Sequence, residues 1–201
     1  MTQATHHYFD RDIGCMAVKL LPSEYYVTDK GTALTTVLGS CVAACLHDSH
    51  AGVAGMNHFM LPADSEDAPR GHADAMRYGV YAMDVLLKEM LRAGAKREQL
   101  RAKVFGGGAV LSNMTTLNIG DRNSDFVLQF LREQGIPVAA QDLRGSHARR
   151  VCFIPATGKA VVRRLGNQAG AQLIQSDEQA LLHRASGAVP VPARFPASRA
   201  T

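Results

Sequence analysis

Two apolar stretches rich in small residues, at 41–47 and 52–59, form the first clear pattern in the chain. Each has the length of a β-strand, and the segment 48–51 between them contains turn-forming residues, so the pattern predicts a hairpin with a four-residue loop. In that register Cys41 lies directly opposite His58, on the same face, with Cβ atoms about 4.5–5.5 Å apart. The pattern therefore predicts that a thiol and an imidazole meet between two strands.

After residue 72 the apolar residues recur in steps of three and four, which is typical of an amphipathic helix. The apolar stripe of this helix consists of Met76, Val80, Met83, Leu87 and Met90. The helix is predicted to end at Gly94, because glycine is favoured just after a helix C-terminus. A second helix is predicted to begin at Asn123, as an N-cap residue, and to end at Gly135. Its inward residues are expected to be Phe126, Val127, Phe130 and Leu131.

Further strands are predicted around these helices, at 34–38, 102–105, 138–141, 150–154 and 159–164. The order of strands, helix, strand, helix and strands predicts an α+β fold, a layered sandwich of mixed β-sheet with the helices outside. Residues 1–12 are interpreted as a flexible leader and residues 13–165 as the folded domain. The segment 166–201 is rich in Ala, Gln, Arg and Pro, and it is interpreted as a tail with a short helix followed by disorder.

Composition narrows the classes of protein that fit this chain. Of its 201 residues 46% are hydrophobic, and the net charge is +4. The basic residues are scattered, whereas a nucleic-acid-binding protein concentrates them on one face. No apolar run reaches the roughly 18 residues of a membrane span, and the N-terminus lacks an apolar signal core. A cytoplasmic protein without membrane insertion is therefore expected, and in that compartment its cysteines stay reduced.

The cysteines and histidines near the first hairpin do not suit a metal site. Cys41, Cys45 and His47 share one face of a strand but spread over about 20 Å at 3.3 Å per residue, which is too far for one tetrahedral zinc ion. The glycine run at 106–108 lacks the Lys-Ser/Thr of a phosphate-binding loop. Close backbone packing beside the site, or a wall of the substrate site, explains it better. No metal and no cofactor are predicted.

Cys41 is the candidate nucleophile because it follows a Gly-Ser pair at the mouth of a strand rather than inside one. A tight turn there exposes the sulfur and offers backbone N–H groups to an oxyanion, and a nearby imidazole would supply thiolate. The simpler alternatives are that Cys41 is a small buried apolar residue and that His58 is a hydrogen-bonded core residue. Cys45 and Cys152, which lie inside apolar strands, fit the core interpretation.

Two motifs, and the order of several more, carry a family resemblance. The two are Leu38-Gly39-Ser40-Cys41-Val42-Ala43 and Met56-Asn57-His58-Phe59-Met60-Leu61-Pro62. After them come Ala102-Lys103-Val104-Phe105-Gly106-Gly107, Asn118-Ile119-Gly120 and Thr157-Gly158-Lys159. Together they resemble the CheD family of chemoreceptor glutamine deamidases, roughly over residues 12–165. The sequence departs from the family at Arg144, where glycine is common.

The resemblance implies a Cys-His-Thr catalytic triad. Cys41 would be the nucleophile, His58 the base, and Thr35 the residue that orients His58, with Thr36 as the adjacent alternative. The residues expected to contact the substrate or its oxyanion are Gly39, Ser40, Asn57, Gly106 and Gly107. The fold implied by the resemblance is similar to that of the cysteine deamidase toxins.

The implied activity is deamidation of glutamine side chains in the cytoplasmic helices of methyl-accepting chemotaxis receptors, which gives glutamate through a thioester intermediate. Hydrolysis of receptor glutamyl methyl esters would use the same acyl enzyme. No cofactor is required. Two alternatives stay open: a regulatory module that binds a CheC-type phosphatase of the chemotaxis response regulator, and a cysteine protease.

Overall fold

The computed structural model describes residues 1–29, 31–62, 71–110 and 119–166, together with Gln172 and Ile174. Within these ranges it contains eleven strands, two α-helices and a short 3-10 helix at Arg97–Gln99. The strands are β1 (Thr2–Gln3), β2 (His6–Asp10), β3 (Cys15–Lys19), β4 (Glu24–Thr28), β5 (Ala33–Leu38), β6 (Val42–Asp48), β7 (Val53–His58), β8 (Arg101–Gly106), β9 (Val138–Leu143), β10 (Arg149–Ile154) and β11 (Lys159–Arg164). The helices are α1 (Gly71–Arg92) and α2 (Ile119–Glu133).

The strands form two mixed sheets that share an apolar layer. Sheet A has the order β1-β4-β7-β6-β8-β9, and sheet B has the order β11-β10-β5-β3-β2. The pairs β1–β4, β3–β5 and β8–β9 are parallel, and the other neighbours are antiparallel. Both helices pack on the face of sheet A that is turned away from sheet B. The layers are thus sheet B, sheet A and helices, and the predicted α+β sandwich with outer helices is confirmed.

Side-chain alternation along β6 separates the two layers of the core. Val42, Ala44 and Leu46 belong to the cluster formed with α1 and α2, and Ala43 and Cys45 belong to the cluster shared with sheet B. All five side chains are buried, because β6 lies inside sheet A with another layer on each face. A strand covered on both faces has a continuous apolar sequence, which explains why the first hairpin contains so few polar residues.

The predicted apolar stripe of α1 is largely confirmed, with Val80 as the exception. Val80 is 41% exposed. One residue earlier, Gly79 lies so close to the core that a Cβ atom there would be 2.6 Å from side-chain atoms of Leu61 and Phe126. The helix therefore meets the core at Gly79, which turns Val80 toward solvent. Three other stripe residues are buried as predicted: Met83, Leu87 and Met90.

The expected flexible leader contains two strands, so the assignment of residues 2–10 to a leader is wrong. β1 pairs in parallel with β4, and β2 pairs antiparallel with β3. Ala4 and Asp10 are buried. The sequence signal is weak because β2 is an edge strand with several exposed side chains, and its pairing depends on main-chain hydrogen bonds to β3 rather than on an apolar pattern.

The predicted tail at 166–201 lies almost entirely outside the described residues, and its interpretation stays a prediction. Within the described part of the chain, no helix combines the length and the apolar character needed to cross a bilayer.

Candidate active site

The β6–β7 hairpin has a register that differs by two residues from the predicted one. His47 lies opposite Ala54, whereas the predicted loop would pair it with Gly52. Asp48 accounts for the difference. Its buried carboxylate accepts two N–H groups of the following turn, at 2.9 and 3.0 Å, and the N–H of Lys96 at 2.8 Å. Asp48 is therefore the last residue of the strand rather than the first residue of the loop.

Cys41 and His58 lie on the same face of the hairpin, as predicted, because a shift of two residues preserves the face. The prediction that they lie directly opposite each other is wrong. The bridge between Val42 and Phe59 fixes the register at this end and makes His58 a diagonal neighbour of Cys41. Diagonal neighbours are roughly 7–8 Å apart in their backbones, a separation within reach of ring-shaped side chains. Both residues are turned toward sheet B, with exposed fractions of 0% and 3%.

His58 is held by a hydrogen bond to Thr36 of sheet B. The distance from His58 Nδ1 to Thr36 Oγ1 is 2.8 Å, and Thr36 Oγ1 donates its proton to the backbone carbonyl of Leu20 at 2.9 Å. A hydroxyl has one proton, so the Thr36 oxygen must accept a proton from Nδ1. The neutral ring is therefore protonated on Nδ1 and carries its lone pair on Nε2. Among the described residues Nε2 is buried and has no hydrogen-bond partner.

Burial keeps the imidazole of His58 neutral. Desolvation lowers the pKa of His58 from 6.5 to about 4, with a small further lowering from the positive charge of Lys19. The backbone carbonyl of Leu20 acts in the opposite direction but does not offset burial. A neutral ring with a free Nε2 lone pair is the form that accepts a proton from a thiol.

Thr35, the residue expected to orient His58, lies on the opposite face of β5, and it is the adjacent alternative, Thr36, that contacts His58. The Thr35 hydroxyl is 2.9 Å from the hydroxyl of Tyr8 and 3.4 Å from the backbone oxygen of Val18. Adjacent side chains of a strand point to opposite faces, so only one of the two threonines can face His58. Thr35 lines a cleft of about 270 Å³ together with His6, Tyr8, Lys19, Thr36, Val37 and Arg150.

The glycines after β8 hold the Cys41 turn by its backbone. Gly107 donates its N–H to the Cys41 oxygen at 2.8 Å, and Gly108 donates to the Gly39 oxygen at 2.7 Å. Gly106 has a φ of +111°, and a Cβ atom there would lie 2.1 Å from the Cys41 oxygen. The expected close backbone packing is thus present. The N–H of Gly107 is engaged by the chain itself, and the expected contact of Gly106 and Gly107 with the substrate or its oxyanion stays a prediction.

Asn57 is also corrected, from a substrate contact to a structural residue. It is fully buried on the face of β7 that meets α1. Its Oδ1 accepts the N–H of Ala44 at 3.0 Å, and its Nδ2 donates to the carbonyl of Ala82 at 3.1 Å. Because Asn57 is adjacent to His58 on a strand, the two side chains point to opposite faces.

The two remaining predicted contacts, Gly39 and Ser40, lie directly before Cys41. Gly39 is buried and Ser40 is partly buried. The Ser40 hydroxyl lies 3.5 Å from the sulfur of Met60. Their role toward an oxyanion stays a prediction.

Asn123 belongs to this site, although the sequence suggested only a helix cap. The helix starts four residues earlier, at Ile119. The side chain of Asn123 is buried; its Nδ2 donates to the Ser40 carbonyl at 2.8 Å and its Oδ1 accepts the N–H of Leu61 at 2.9 Å. A signal was present in the sequence, because Asn123 lies three residues before Phe126 and is thus a polar residue on the apolar stripe.

A second unpredicted pair, Ser23 and Tyr78, lies beside His58. Their hydroxyl oxygens are 2.7 Å apart. The backbone N–H of Ser23 donates to the His58 carbonyl at 2.8 Å, and Ser23 has a φ of +68°, which is unusual for a residue with a side chain. Burial raises the pKa of Tyr78, and the hydrogen bond with Ser23 acts in the opposite direction.

The other buried cysteines lie in environments that oppose thiolate formation. Burial strongly raises the pKa of Cys45 and raises that of Cys152 to about 11. Within the described ranges, no group of three or more His, Cys, Asp and Glu side chains could hold a metal ion.

A thiol and a neutral imidazole on one face, with a hydroxyl fixing the imidazole tautomer, are the groups that cysteine-nucleophile hydrolases use. Residues 60–164 match the family model described as CheD chemotactic sensory transduction. The chain is 59% identical over 192 residues to a Cupriavidus metallidurans protein named "Probable chemoreceptor glutamine deamidase CheD", covering 95% of this chain and 87% of that protein. A Paraburkholderia xenovorans protein of the same name is 52% identical, over 90% of this chain and 72% of its own length. The chain belongs to the CheD family, which confirms the resemblance.

The match to the family model begins at residue 60, after Cys41 and His58. The alignments with the two relatives cover 95% and 90% of the chain, so they extend the family assignment to the region that contains these two residues. Among solved structures, the Bacillus licheniformis hypothetical protein YfiH is similar over 61% of this chain and 49% of its own, at 17% identity and a TM-score of 0.33.

Proposed function

We propose that this protein deamidates glutamine side chains of chemoreceptors, with Cys41 as nucleophile, His58 as general base and acid, and Thr36 as the residue that orients His58. The observation that carries the proposal is the state of His58. Its Nδ1 proton is held by Thr36, and its Nε2 lone pair, on the face of the hairpin that carries Cys41, has no hydrogen-bond partner among the described residues. The names of the relatives supply the substrate class.

In the first half of the reaction, Nε2 of His58 takes the Cys41 proton as the sulfur attacks the carboxamide carbon. The carbonyl oxygen becomes an oxyanion, for which the backbone N–H groups at Gly39 and Ser40 are the proposed donors. Collapse of this intermediate breaks the C–N bond. His58 returns its proton to the leaving nitrogen, so ammonia departs and a thioester to Cys41 stays behind.

In the second half, His58 takes a proton from a water molecule that attacks the thioester carbon. The C–S bond breaks, the proton returns to the sulfur, and glutamate is released. Thr36 keeps the Nδ1 proton in place in both halves, so the Nε2 lone pair of His58 accepts the proton each time. A receptor glutamyl methyl ester would form the same thioester with methanol as leaving group.

The low pKa of His58 implies that the resting site is a neutral thiol–imidazole pair. An imidazole with a pKa of about 4 does not hold the proton of a thiol whose ordinary pKa is near 8.5. Proton transfer is therefore coupled to attack on the substrate rather than completed before it. This fits a site whose Cys41 is fully buried, because a lasting ion pair there would cost the desolvation free energy of both charges.

The experiment combines the purified protein with a chemoreceptor cytoplasmic fragment and follows ammonia release and conversion of glutamine to glutamate by mass spectrometry. Cys41→Ala is expected to abolish both signals. Cys45→Ala removes a second buried thiol of the same strand and should leave them intact. Full activity of Cys41→Ala would refute the proposal, and cleavage of the receptor backbone would indicate a protease instead.

The partner and location expected from the family follow from this proposal. A receptor's cytoplasmic helices can be modified only from the cytoplasm, where the chain would act. Binding of a CheC-type phosphatase is a separate property, which the inactive Cys41→Ala variant would isolate: a regulatory module keeps its partner when catalysis is lost.

A further inference from the structure

We propose that Asn123 is a positioning residue that holds the backbone on both sides of the candidate site in its reactive arrangement. The inference rests on the proposed function for its kinetic part. Asn123 is fully buried in α2. Its one side chain bonds to Ser40, which directly precedes Cys41, and to Leu61, which follows His58 by three residues.

The direction of the Asn123 amide is fixed by its partners. A backbone N–H can only donate, so the Leu61 N–H must meet Oδ1; a backbone carbonyl can only accept, so the Ser40 oxygen must meet Nδ2. The distances are 2.9 and 2.8 Å. Both partners are main-chain groups, and a single asparagine amide can accept a hydrogen bond from one and donate a hydrogen bond to the other at the same time.

The Ser40 contact determines how Cys41 is oriented. A trans peptide group is planar, and its C=O points opposite to the N–H of the next residue. Anchoring the Ser40 oxygen on α2 therefore fixes the direction of the Cys41 N–H and the start of the Cys41 side chain. Without this anchor, the peptide plane could rotate and carry the sulfur away from its position near His58.

A second contact joins the same helix to the other side of Cys41. A Cβ atom on Gly120, in the first turn of α2, would lie 2.5 Å from the Gly107 oxygen. Gly107 in turn donates its N–H to the Cys41 oxygen at 2.8 Å. The peptide groups before and after Cys41 are thus both supported by α2, one directly through Asn123 and one through Gly107.

The Leu61 contact acts on the strand that carries His58. The hairpin is closed at its far end by the Asp48 turn, and at the near end Val42 and Phe59 exchange two backbone hydrogen bonds at 2.9 Å. Asn123 binds just beyond that pair, where the two strands would otherwise separate. It therefore acts as a clamp across the open end of the hairpin.

The test compares Asn123→Ala and Asn123→Asp with Val127→Ala, which trims another buried side chain of α2 that cannot form hydrogen bonds. Asn123→Asp keeps an acceptor for the Leu61 N–H but places a carboxylate oxygen against the Ser40 carbonyl. For both Asn123 variants, kcat for deamidation is expected to fall by about 10- to 100-fold with little change in KM, as expected when a reacting group is displaced by about 1 Å. Val127→Ala should keep the wild-type kcat.

A second readout does not depend on the substrate. The rate of alkylation of Cys41 by iodoacetamide, resolved from the other cysteines by peptide mass spectrometry, is measured across pH in the folded proteins. Displacing the thiol from His58 is expected to change this pH profile in both Asn123 variants and not in Val127→Ala. Thermal unfolding of each variant shows that the measurements are made on folded protein.

The proposal is overturned if the Asn123 variants match Val127→Ala in kcat and in the alkylation profile, or if Asn123→Asp behaves as wild type. If the wild type deamidates no receptor glutamine but the alkylation profile still shifts in the Asn123 variants, the positioning role stands and the proposed substrate is wrong.

Discussion

Replacing Thr36 by valine tests the tautomer argument most directly, because it removes one oxygen and keeps the shape of the side chain. In the wild type, Thr36 Oγ1 accepts the Nδ1 proton of His58 at 2.8 Å and donates to Leu20 at 2.9 Å. In Thr36→Val the buried Nδ1–H keeps the Leu20 carbonyl as an acceptor but loses the Thr36 oxygen. The tautomer with a free Nε2 lone pair then loses part of its stabilisation.

The size of the effect follows from the cost of a lost buried hydrogen bond. Leaving a buried donor poorly satisfied costs about 1–2 kcal/mol. If this cost falls on the reactive tautomer, and each 1.36 kcal/mol is tenfold in rate, kcat should decrease by roughly five- to thirtyfold. The Leu20 carbonyl, which can accept the Nδ1 proton in place of Thr36, keeps the loss from being larger.

The assay is steady-state deamidation of a receptor fragment, combined with ¹⁵N NMR of the His58 ring to read its tautomer. The matched control is Thr35→Val, which removes a hydroxyl from the adjacent residue on the other face of β5. It breaks the contact with Tyr8 and should leave kcat and the His58 spectrum unchanged. A loss of activity in Thr35→Val with full activity in Thr36→Val would refute the assignment of the triad.

Two further predictions concern stability. The pKa of His58 is about 4 in the folded protein and 6.5 in the unfolded chain. As the pH decreases, the unfolded state therefore binds a proton before the folded state does. The free energy of unfolding should fall between about pH 6.5 and 4, by up to about 3 kcal/mol. Urea unfolding at pH 7 and 4.5 should show this loss in the wild type and a smaller loss in His58→Asn; equal losses would contradict the burial argument. Gly106→Ala should destabilise the protein by at least about 2 kcal/mol more than Gly135→Ala, because both glycines have positive φ but only Gly106 would place a Cβ against the Cys41 oxygen, whereas Gly135 faces open space. Similar unfolding temperatures for the two variants would show that the turn relaxes around the added methyl group.

The sequence by itself determined the features that depend on backbone periodicity. Residues of a strand alternate between two faces, so Cys41 and His58 fell on one face even though the predicted register was two residues out. The inward residues of α2 and the layered α+β architecture also followed from the spacing of apolar positions. These features are local, because the geometry of a strand or helix fixes them before any other part of the chain is in place.

The tertiary structure alone decided which faces meet. Thr35 and Thr36 are equivalent in sequence, and only the packing of sheet B on sheet A turns Thr36 toward His58. The register of the first hairpin depended on Asp48, whose carboxylate also binds Lys96 from a distant segment. Asn123 lies 83 positions from Ser40 and 62 from Leu61, so no local pattern reveals that it bonds to both. Contacts of this kind depend on how completed elements pack, which the order of residues along one element does not encode.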